Sequence, residues 1–320
     1  MVQSALENET SFNEATTQDY IALLKFRVMR LAVFTAGVAL VIAPASINPV
    51  VAIGSLICIG IGAGAAGALN MWWDSDIDSI MTRTSNRPIP AGKITCNQAL
   101  SFGLFLTFFS VMFLGLFANH LSAALLAGTI AFYIVIYTMF LKRRTPQNIV
   151  IGGAAGALPP VIGWAVSTNS IGFESILMFF LIFLWTPPHF WSLCLMTKSD
   201  YSKSKIPMLT ETHGEEETKR QIIVYSLLLL VPSLLISFTS VGGLFYLVST
   251  LILNAVFLYL AISLGGFGRL DKPLRKKRER QLFLYSIFYL FVHFSLLMVE
   301  FLAKFFFSFY NDFSRVLVWF

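Results

Sequence analysis

Charged residues are scarce in this 320-residue chain, since Asp, Glu, Lys and Arg make up only 12% of it, whereas soluble domains carry about 25%. Hydrophobic residues make up 56%, and the mean hydropathy is +0.73. The stretch from Val50 to Leu69 contains no charged residue at all. These deficits exclude an ordinary soluble domain and predict an all-α, polytopic membrane protein.

Cysteine is also scarce, and the first basic residue comes late. Cys58, Cys96 and Cys194 form no CxxC pair, which argues against a disulfide framework or a zinc site. The segment before Lys25 is acidic, unlike an Arg-rich transit peptide or a secretory leader. We therefore expect a bacterial inner (plasma) membrane location, with lipid as the main surrounding.

Apolar runs of roughly 20 residues mark the predicted membrane spans. Nine such runs occur, at 28–47, 50–69, 99–118, 121–141, 149–167, 171–197, 221–240, 242–264 and 282–308. They predict a polar N-terminal segment over 1–24, a helical domain over 25–308 and an outer C-terminal tail over 309–320.

The distribution of positive charge predicts the orientation. With a cytoplasmic N-terminus, every Lys and Arg except Lys304 and Arg315 falls on the inner side, as the positive-inside rule requires. The basic run RKKRER at 275–280 is then a short inner loop that orients the chain, which argues against nucleic acid as a partner. Functional chemistry is expected at the cytoplasmic face.

The two longest inner loops, 70–98 and 198–220, follow the second and sixth spans. Four spans separate them, so the chain returns to the same side, as in a parallel internal repeat of spans one to four and five to eight with a ninth added. Glycine is concentrated in spans two and five, the equivalent helices of such a repeat. Small residues there predict close helix packing.

The segment NMWWDSDID, residues 70–78, carries acidic residues at the end of an uncharged span. Charge so close to lipid is costly and suggests function. Asn70, Asp74 and Asp78 are spaced at i, i+4 and i+8 and so share a helix face, whereas Asp76 points elsewhere. Oxygen ligands of this kind suit Mg²⁺, which binds through one or two carboxylates together with phosphate oxygens.

Basic residues follow this acidic face. Arg83, Arg87 and Lys93 lie just downstream, and guanidinium groups bind phosphate oxygens in a bidentate manner. They are also ordinary candidates for inner-loop charges. Next to an acidic cluster that would otherwise repel phosphate, they favour a site for a metal-bound diphosphate.

The stretch NMWWDSDIDSIMTRTSNRPIPAG, residues 70–92, resembles the first signature of the intramembrane UbiA-type prenyltransferases, which build quinones and prenylated haem. The stretches 137–164, 185–193 and 200–209 agree with the haem-prenylating members. The resemblance implies a nine-helix fold that transfers the farnesyl group of farnesyl diphosphate to a vinyl group of haem B, with water addition, giving haem O. Haem B would be a substrate, and the partners would include haem A synthase or oxidase assembly factors.

The resemblance also implies roles for individual residues. Asn70, Asp74 and Asp78 would hold Mg²⁺, and Arg83 and Arg87 would bind diphosphate. Further positions carried over are Tyr137 and Lys142 for diphosphate, and Asp200 as a metal ligand that opens the second aspartate motif. Where the quinone enzymes have a second Asp, this chain has Ser204 between Lys203 and Lys205. A Lys here would replace part of the positive charge of a second Mg²⁺.

His189 lies in WTPPHFW, where two prolines interrupt the hydrogen-bond ladder of a span. An imidazole there could ligate haem iron or serve as hydrogen-bonded structure. His293 and Glu300, seven residues apart on one face of the ninth span, are predicted partners of each other and are left out of the site.

Two alternative functions remain open on the sequence. A quinone-precursor prenyltransferase would share the metal face and differ in its acceptor pocket; the PPHFW and NRPIPAG contexts and the missing second Asp argue against it. A secondary transporter would share the repeat and the interrupted spans. It would not need the cluster of Asp and Arg at the membrane surface.

Overall fold

The computed structural model describes residues 15–197, 201, 203–204, 206–265 and 271–317, and every regular element in these ranges is a helix. In chain order they are α1 (Thr17–Leu23), α2 (Phe26–Ile42), α3 (Pro49–Trp73), α4 (Ser75–Ile80), α5 (Cys96–Phe117), α6 (His120–Ala131), a π-helix (Phe132–Leu141), α7 (Asn148–Ala157), α8 (Pro159–Thr168), α9 (Phe173–Met196), α10 (Leu209–Thr212), α11 (Gly214–Ile236), α12 (Leu244–Gly265) and α13 (Lys272–Leu317). The π-helix continues α6 directly.

Polar residues at the span boundaries start several of these helices. Asn48 caps α3, whose first residue is Pro49, and proline suits that position because its missing N–H would be unpaired there anyway. Thr95 and Gln98 form a capping box at the start of α5, and Asn119 caps α6. The spans therefore begin where capping side chains interrupt the apolar sequence.

The polytopic all-α prediction is confirmed. Eight stretches of the described chain are long and apolar enough to cross a membrane: α3, α5, α6 with the π-helix, α7 with α8, α9, α11, α12 and α13. The predicted first span corresponds to α2, which has 17 residues, at the short end of the ~17–25 residues of a spanning helix. The count of nine spans rests on α2, and it stays a prediction together with the cytoplasmic N-terminus.

Two helices begin earlier than their apolar runs. Helix α11 begins at Gly214 rather than near 221, and α13 begins at Lys272 rather than near 282. The basic run 275–280, predicted as a loop, is therefore helical. Lys, Arg and Glu are good helix formers, so a span can continue past the apolar run. An ion pair of 3.2 Å between Arg275 and Glu215 joins the two extensions.

The order of helix contacts repeats between the two halves of the chain. In the first half α2 packs on α3, α3 on α5, and α5 on α6. In the second half α7 and α8 pack on α9, α9 on α11, and α11 on α12. Helix α13 packs on α12 and α9 and also contacts α2. This pattern matches the predicted parallel repeat with one added helix.

A cluster of three buried residues with polar side chains links α12 to α13. The Tyr246 hydroxyl lies 2.9 Å from His293 Nδ1, and the Tyr246 main-chain N–H donates to Glu300 Oε2 at 3.0 Å. All three residues are buried. His293 and Glu300 are thus connected through Tyr246 rather than paired directly, because each of them finds a partner on the neighbouring helix.

The two halves meet closely where α8 crosses α2. A Cβ atom on Gly163 would lie 2.0 Å from the main-chain oxygen of Ala36, and main-chain atoms cannot move aside as a flexible side chain can. Glycine at 163 therefore permits the close approach of the two helices. This agrees with the prediction of tight packing in span five.

We expect Gly163→Ala to destabilise the protein by about 1–3 kcal/mol, because the added methyl group forces α8 away from α2. Gly156→Ala is the matched control, since a Cβ atom on Gly156 would have no neighbour within 4 Å. Alanine also favours a helix over glycine. Chemical denaturation in detergent would measure both variants, and equal midpoints would contradict this account of the interface.

Candidate active site

The acidic face lies at the junction of α3 and α4. Helix α3 ends at Trp73, yet the N–H of Asp74 donates to the Asn70 carbonyl at 3.0 Å and the N–H of Asp78 to the Asp74 carbonyl at 2.8 Å. The helical spacing therefore continues through the junction. Asn70, Asp74 and Asp78 are all buried, with Asp74 0% and Asp78 2% exposed.

Asn70 connects this face to the end of the fourth predicted span. Its Nδ2 donates to Asp74 Oδ2 at 2.8 Å and to Thr138 Oγ1 at 3.0 Å. The Thr138 hydroxyl donates in turn to the Tyr133 carbonyl, five residues back, at 2.8 Å. A π-helix has the i to i+5 spacing that this bond requires, and π-helical turns are frequent at functional sites.

Two cations pair with the carboxylates. Lys142, directly after the π-helix, places Nζ 2.5 Å from Asp74 Oδ2. Arg87 places Nη1 2.6 Å from Asp78 Oδ2. Breaking a buried ion pair by removing one partner is costly because it leaves a charge without compensation. The carboxylates and cations therefore depend on each other.

Lys25 is a third cation at the site, and it comes from a different part of the chain. It lies between α1 and α2 with a positive φ of 49°, and its Nζ donates to Asn70 Oδ1. Leu23, just before it, is fully buried, which holds this segment against the bundle. Burial, with repulsion from Arg87 and Lys142, lowers the pKa of Lys25 to about 7.

Asp76 lies on the other side of α4, as the spacing predicts, and its side chain is 61% exposed. Arg143 Nη1 and Nη2 each donate to one of its carboxylate oxygens at 2.8 Å. This bidentate bond lowers the pKa of Asp76. Arg143 Nη2 also lies 3.6 Å from Asp74 Oδ1, so Arg143 connects the exposed Asp76 to the buried site.

The two other predicted diphosphate residues lie less centrally. The Tyr137 ring stacks on Tyr133 with centroids 5.4 Å apart and packs so closely on Gly152 that a Cβ atom there would lie 2.1 Å from the ring. Tyr137 is next to Thr138 in the chain, and the contacts described for its ring are with Tyr133 and Gly152. Arg83 is exposed and makes no ion pair within the described part of the chain.

The second predicted motif is only partly described. Asp200 and Lys205 lie outside the described residues, and Lys203 is exposed. Side chains of the two long loops pack together in one buried cluster, which contains Ile77, Met81, Ile149, Cys194, Tyr201, Ile206 and Met208. The segment after α9 thus lies beside the segment after α3, as the repeat predicts.

His189 lies near the C-terminal end of α9, which continues as a helix through Pro187 and Pro188. Its ring is stacked between Trp185, with centroids 4.4 Å apart, and Phe283, with centroids 5.0 Å apart. Ser286 Oγ lies 2.7 Å from His189 Nδ1. His189 is therefore held by α13 and does not contact the carboxylates in any described hydrogen bond.

The oxygen atoms of the site fit a magnesium ion whose coordination shell is completed by diphosphate oxygens. Among the described residues, no group of three or more His, Cys, Asp or Glu could form an all-protein metal cage. Two carboxylates and an amide oxygen are instead what Mg²⁺ uses when phosphate oxygens complete its shell. Asp74 Oδ1 is buried without a hydrogen bond, which leaves an acceptor available.

Three residues of this arrangement were not singled out from the sequence as site residues: Lys25, Thr138 and Arg143. Lys25 and Arg143 have the sequence signature of ordinary inner-loop cations, and Thr138 lies within an apolar run. No local pattern distinguishes them. Their positions depend on packing between α2, α3 and the π-helix.

The comparison with known proteins agrees with this geometry. Residues 31–306 match the UbiA prenyltransferase family. A protoheme IX farnesyltransferase from Roseobacter denitrificans is 54% identical over 90% of this chain and 92% of its own length. Another from Parvibaculum lavamentivorans is 53% identical over 89% of both chains.

Solved structures share the fold at low sequence identity. A structure described for a digeranylgeranylglyceryl phosphate synthase in membranes aligns with a TM-score of 0.73 and 17% identity, over 89% of this chain and 98% of its own. A UbiA homologue from Archaeoglobus fulgidus, bound to DMAPP and Mg²⁺, aligns with a TM-score of 0.60 and 16% identity, over 87% of this chain and 99% of its own.

The family match covers most of the chain, and the relatives are similar along nearly their full length. The chain belongs to the UbiA prenyltransferase family and is a multi-pass membrane prenyltransferase.

Proposed function

We propose that the chain transfers the farnesyl group of farnesyl diphosphate to a vinyl group of haem B. The C–O bond to diphosphate breaks, a C–C bond to the vinyl group forms, and water adds a hydroxyl group with release of a proton. The products are haem O and diphosphate, for the biogenesis of oxidases that use haem O or haem A. The identity above 50% to relatives named protoheme IX farnesyltransferase supports this choice of acceptor.

The observation that carries the reaction class is the buried face of Asn70, Asp74 and Asp78 beside several cations. These three residues would hold Mg²⁺, which supplies positive charge next to the diphosphate when it is bound. Three cationic side chains, Arg87, Lys142 and Arg143, balance three carboxylates, Asp74, Asp76 and Asp78. Lys25 adds a fourth basic group whose pKa is lowered to about 7, and an anionic substrate beside it would favour its protonated form.

The chain's own residues would act on the leaving diphosphate. Lys25, Arg87 and Lys142 would donate hydrogen bonds to it as negative charge develops, and Tyr137 would line the same side. Arg83, exposed at the rim, would meet the incoming diphosphate. Apolar helices around the site would shield the allylic cation from early reaction with water.

The part of the site after α9 is proposed from the second aspartate motif alone. Asp200 would contribute a metal ligand, with Lys203 and Lys205 supplying positive charge where the quinone enzymes have a second Asp. His189, near the C-terminal end of α9 and held by its aromatic neighbours, would bind the haem iron.

The membrane location, the orientation and the domain limits are likewise proposals. An inner membrane with the active site facing the cytoplasm is supported by the inner-side excess of Lys and Arg. The helical unit over 25–308 would be the catalytic domain, with 1–24 and 309–320 as terminal segments, and the family match over 31–306 supports these limits. Haem A synthase or oxidase assembly factors would receive the product.

Purified protein incubated with haem B, farnesyl diphosphate and Mg²⁺ should yield haem O by mass spectrometry. Removing Mg²⁺ with EDTA should abolish the product. Asp74→Asn and Asp78→Asn should each lower the rate about 100-fold or more, because a charged ligand next to the developing diphosphate is lost. Absence of product from the wild type under conditions that sustain a known enzyme, or equal rates in Asp74→Asn, would refute the assignment.

Asp76→Asn is the matched control for these variants. It removes the same charge from the same short segment, but from a side chain that is 61% exposed. We expect a rate within a few-fold of the wild type. A loss as large as that of Asp74→Asn would show that the buried face alone does not explain the acidic motif.

Lys25→Met should raise the KM for farnesyl diphosphate about tenfold or more, because a charge-assisted hydrogen bond to the substrate is lost. Methionine keeps the length and apolar stem of the side chain. Arg27→Met is the control, since Arg27 is a nearby exposed cation on α2. Steady-state kinetics with varied farnesyl diphosphate would decide, and an unchanged KM and kcat would exclude Lys25 from substrate binding.

His189→Ala should weaken the binding of haem B and change its absorption spectrum, because an axial ligand is lost. Titration of detergent-solubilised protein with haem B would measure both effects. His120→Ala is the control, since His120 begins α6 and is exposed. An unchanged affinity and spectrum in His189→Ala would count against ligation.

A further inference from the structure

Ser286 on α13 contacts α9 at two residues one helical turn apart. Its carbonyl oxygen accepts from Trp185 Nε1 at 2.7 Å, and its Oγ lies 2.7 Å from His189 Nδ1. Ser286 is fully buried, so neither contact competes with solvent. One residue therefore determines both the position of the stacked pair and the surroundings of one imidazole nitrogen.

The direction of the hydrogen bond to His189 follows from the other bond of Ser286. The Ser286 hydroxyl donates to the Phe283 carbonyl at 2.6 Å. A hydroxyl has a single proton and two lone pairs, so toward His189 it can only accept. The proton between the two side chains then belongs to His189 Nδ1, and the neutral ring carries its lone pair on Nε2.

The stacking contacts define which part of the ring is available. The Trp185 ring is nearly parallel to the His189 ring, with an interplanar angle of 14°. The Phe283 ring also stacks on the His189 ring, with an interplanar angle of 21°. Because these rings stack on the imidazole and Nδ1 bonds Ser286 Oγ, Nε2 is the ring nitrogen that remains for a ligand. A metal binds imidazole in the ring plane, through the lone pair, so stacking on the faces does not oppose it.

We propose that Ser286 is a positioning residue that holds His189 as the Nδ1–H tautomer, with Nε2 unprotonated and directed toward the iron of the porphyrin acceptor. This rests on the proposed function, because it takes haem B as the substrate. A ligating His commonly donates its second N–H to a neighbouring acceptor, which fixes the ring and raises its basicity. Ser286 Oγ is that acceptor here.

The tautomer can be measured without haem. ¹⁵N-histidine NMR of the haem-free, full-length protein in lipid nanodiscs, with His189→Gln subtracted to identify the signal, should show Nδ1 protonated and Nε2 unprotonated. The chain has four His, so the subtraction is tractable. A ring protonated at Nε2 in the wild type overturns the proposal, whatever the protein does with haem.

Variants test the role of the hydroxyl. Ser286→Ala should lose the preference for the Nδ1–H form, weaken haem B binding about tenfold to 100-fold and alter the haem spectrum, while Ser286→Thr should restore all three. Ser295→Ala is the matched control, because the hydrogen bond described for the Ser295 hydroxyl is to the Phe291 carbonyl in the same helix, at 2.9 Å. Wild-type tautomer, affinity and spectrum in Ser286→Ala would overturn the proposal.

The two levels of inference fail in different experiments. Failure of the proposed function appears as absence of haem O from the wild type. Failure of the Ser286 inference appears as a ring protonated at Nε2 in the haem-free wild type, or as an unaltered Ser286→Ala variant, while haem O formation continues.

Discussion

The structure depends on keeping two carboxylates buried at the end of an uncharged helix. Asp74 and Asp78 have lost almost all contact with solvent, and an isolated charge in such surroundings costs several kcal/mol or more. Each carboxylate is instead compensated by a cation, Lys142 for Asp74 and Arg87 for Asp78. Segments that are far apart in the chain must therefore meet at this point.

Several irregular features of the fold serve that requirement. The π-helix brings Thr138 to Asn70 and ends directly before Lys142. The break between α1 and α2 gives Lys25 a left-handed backbone and directs its amino group to Asn70. Conformations of this kind are unfavourable in isolation and persist where surrounding contacts hold them. Both irregularities border the acidic face.

The parallel repeat explains why the residues proposed for the diphosphate and those proposed for haem B can lie on the same side of the membrane. Helices α3 and α9 occupy equivalent places in the two halves, and the segments that follow them share a buried cluster. Helix α3 and the segment after it carry the residues proposed to bind Mg²⁺ and diphosphate. Helix α9 carries His189 near its end, held by the added helix α13 through Ser286. Helix α13 thus contributes to the proposed acceptor site.

The sequence by itself determined the helical membrane fold, most span positions and the shared face of Asn70, Asp74 and Asp78. These features follow from local physics, because hydropathy and the 3.6-residue helical period are read within one segment. Only the tertiary structure decided which cations reach that face and how His189 is held. Lys25 is 45 residues from Asn70, and Ser286 is 97 residues from His189. Such pairings depend on how helices pack, and no local pattern encodes them.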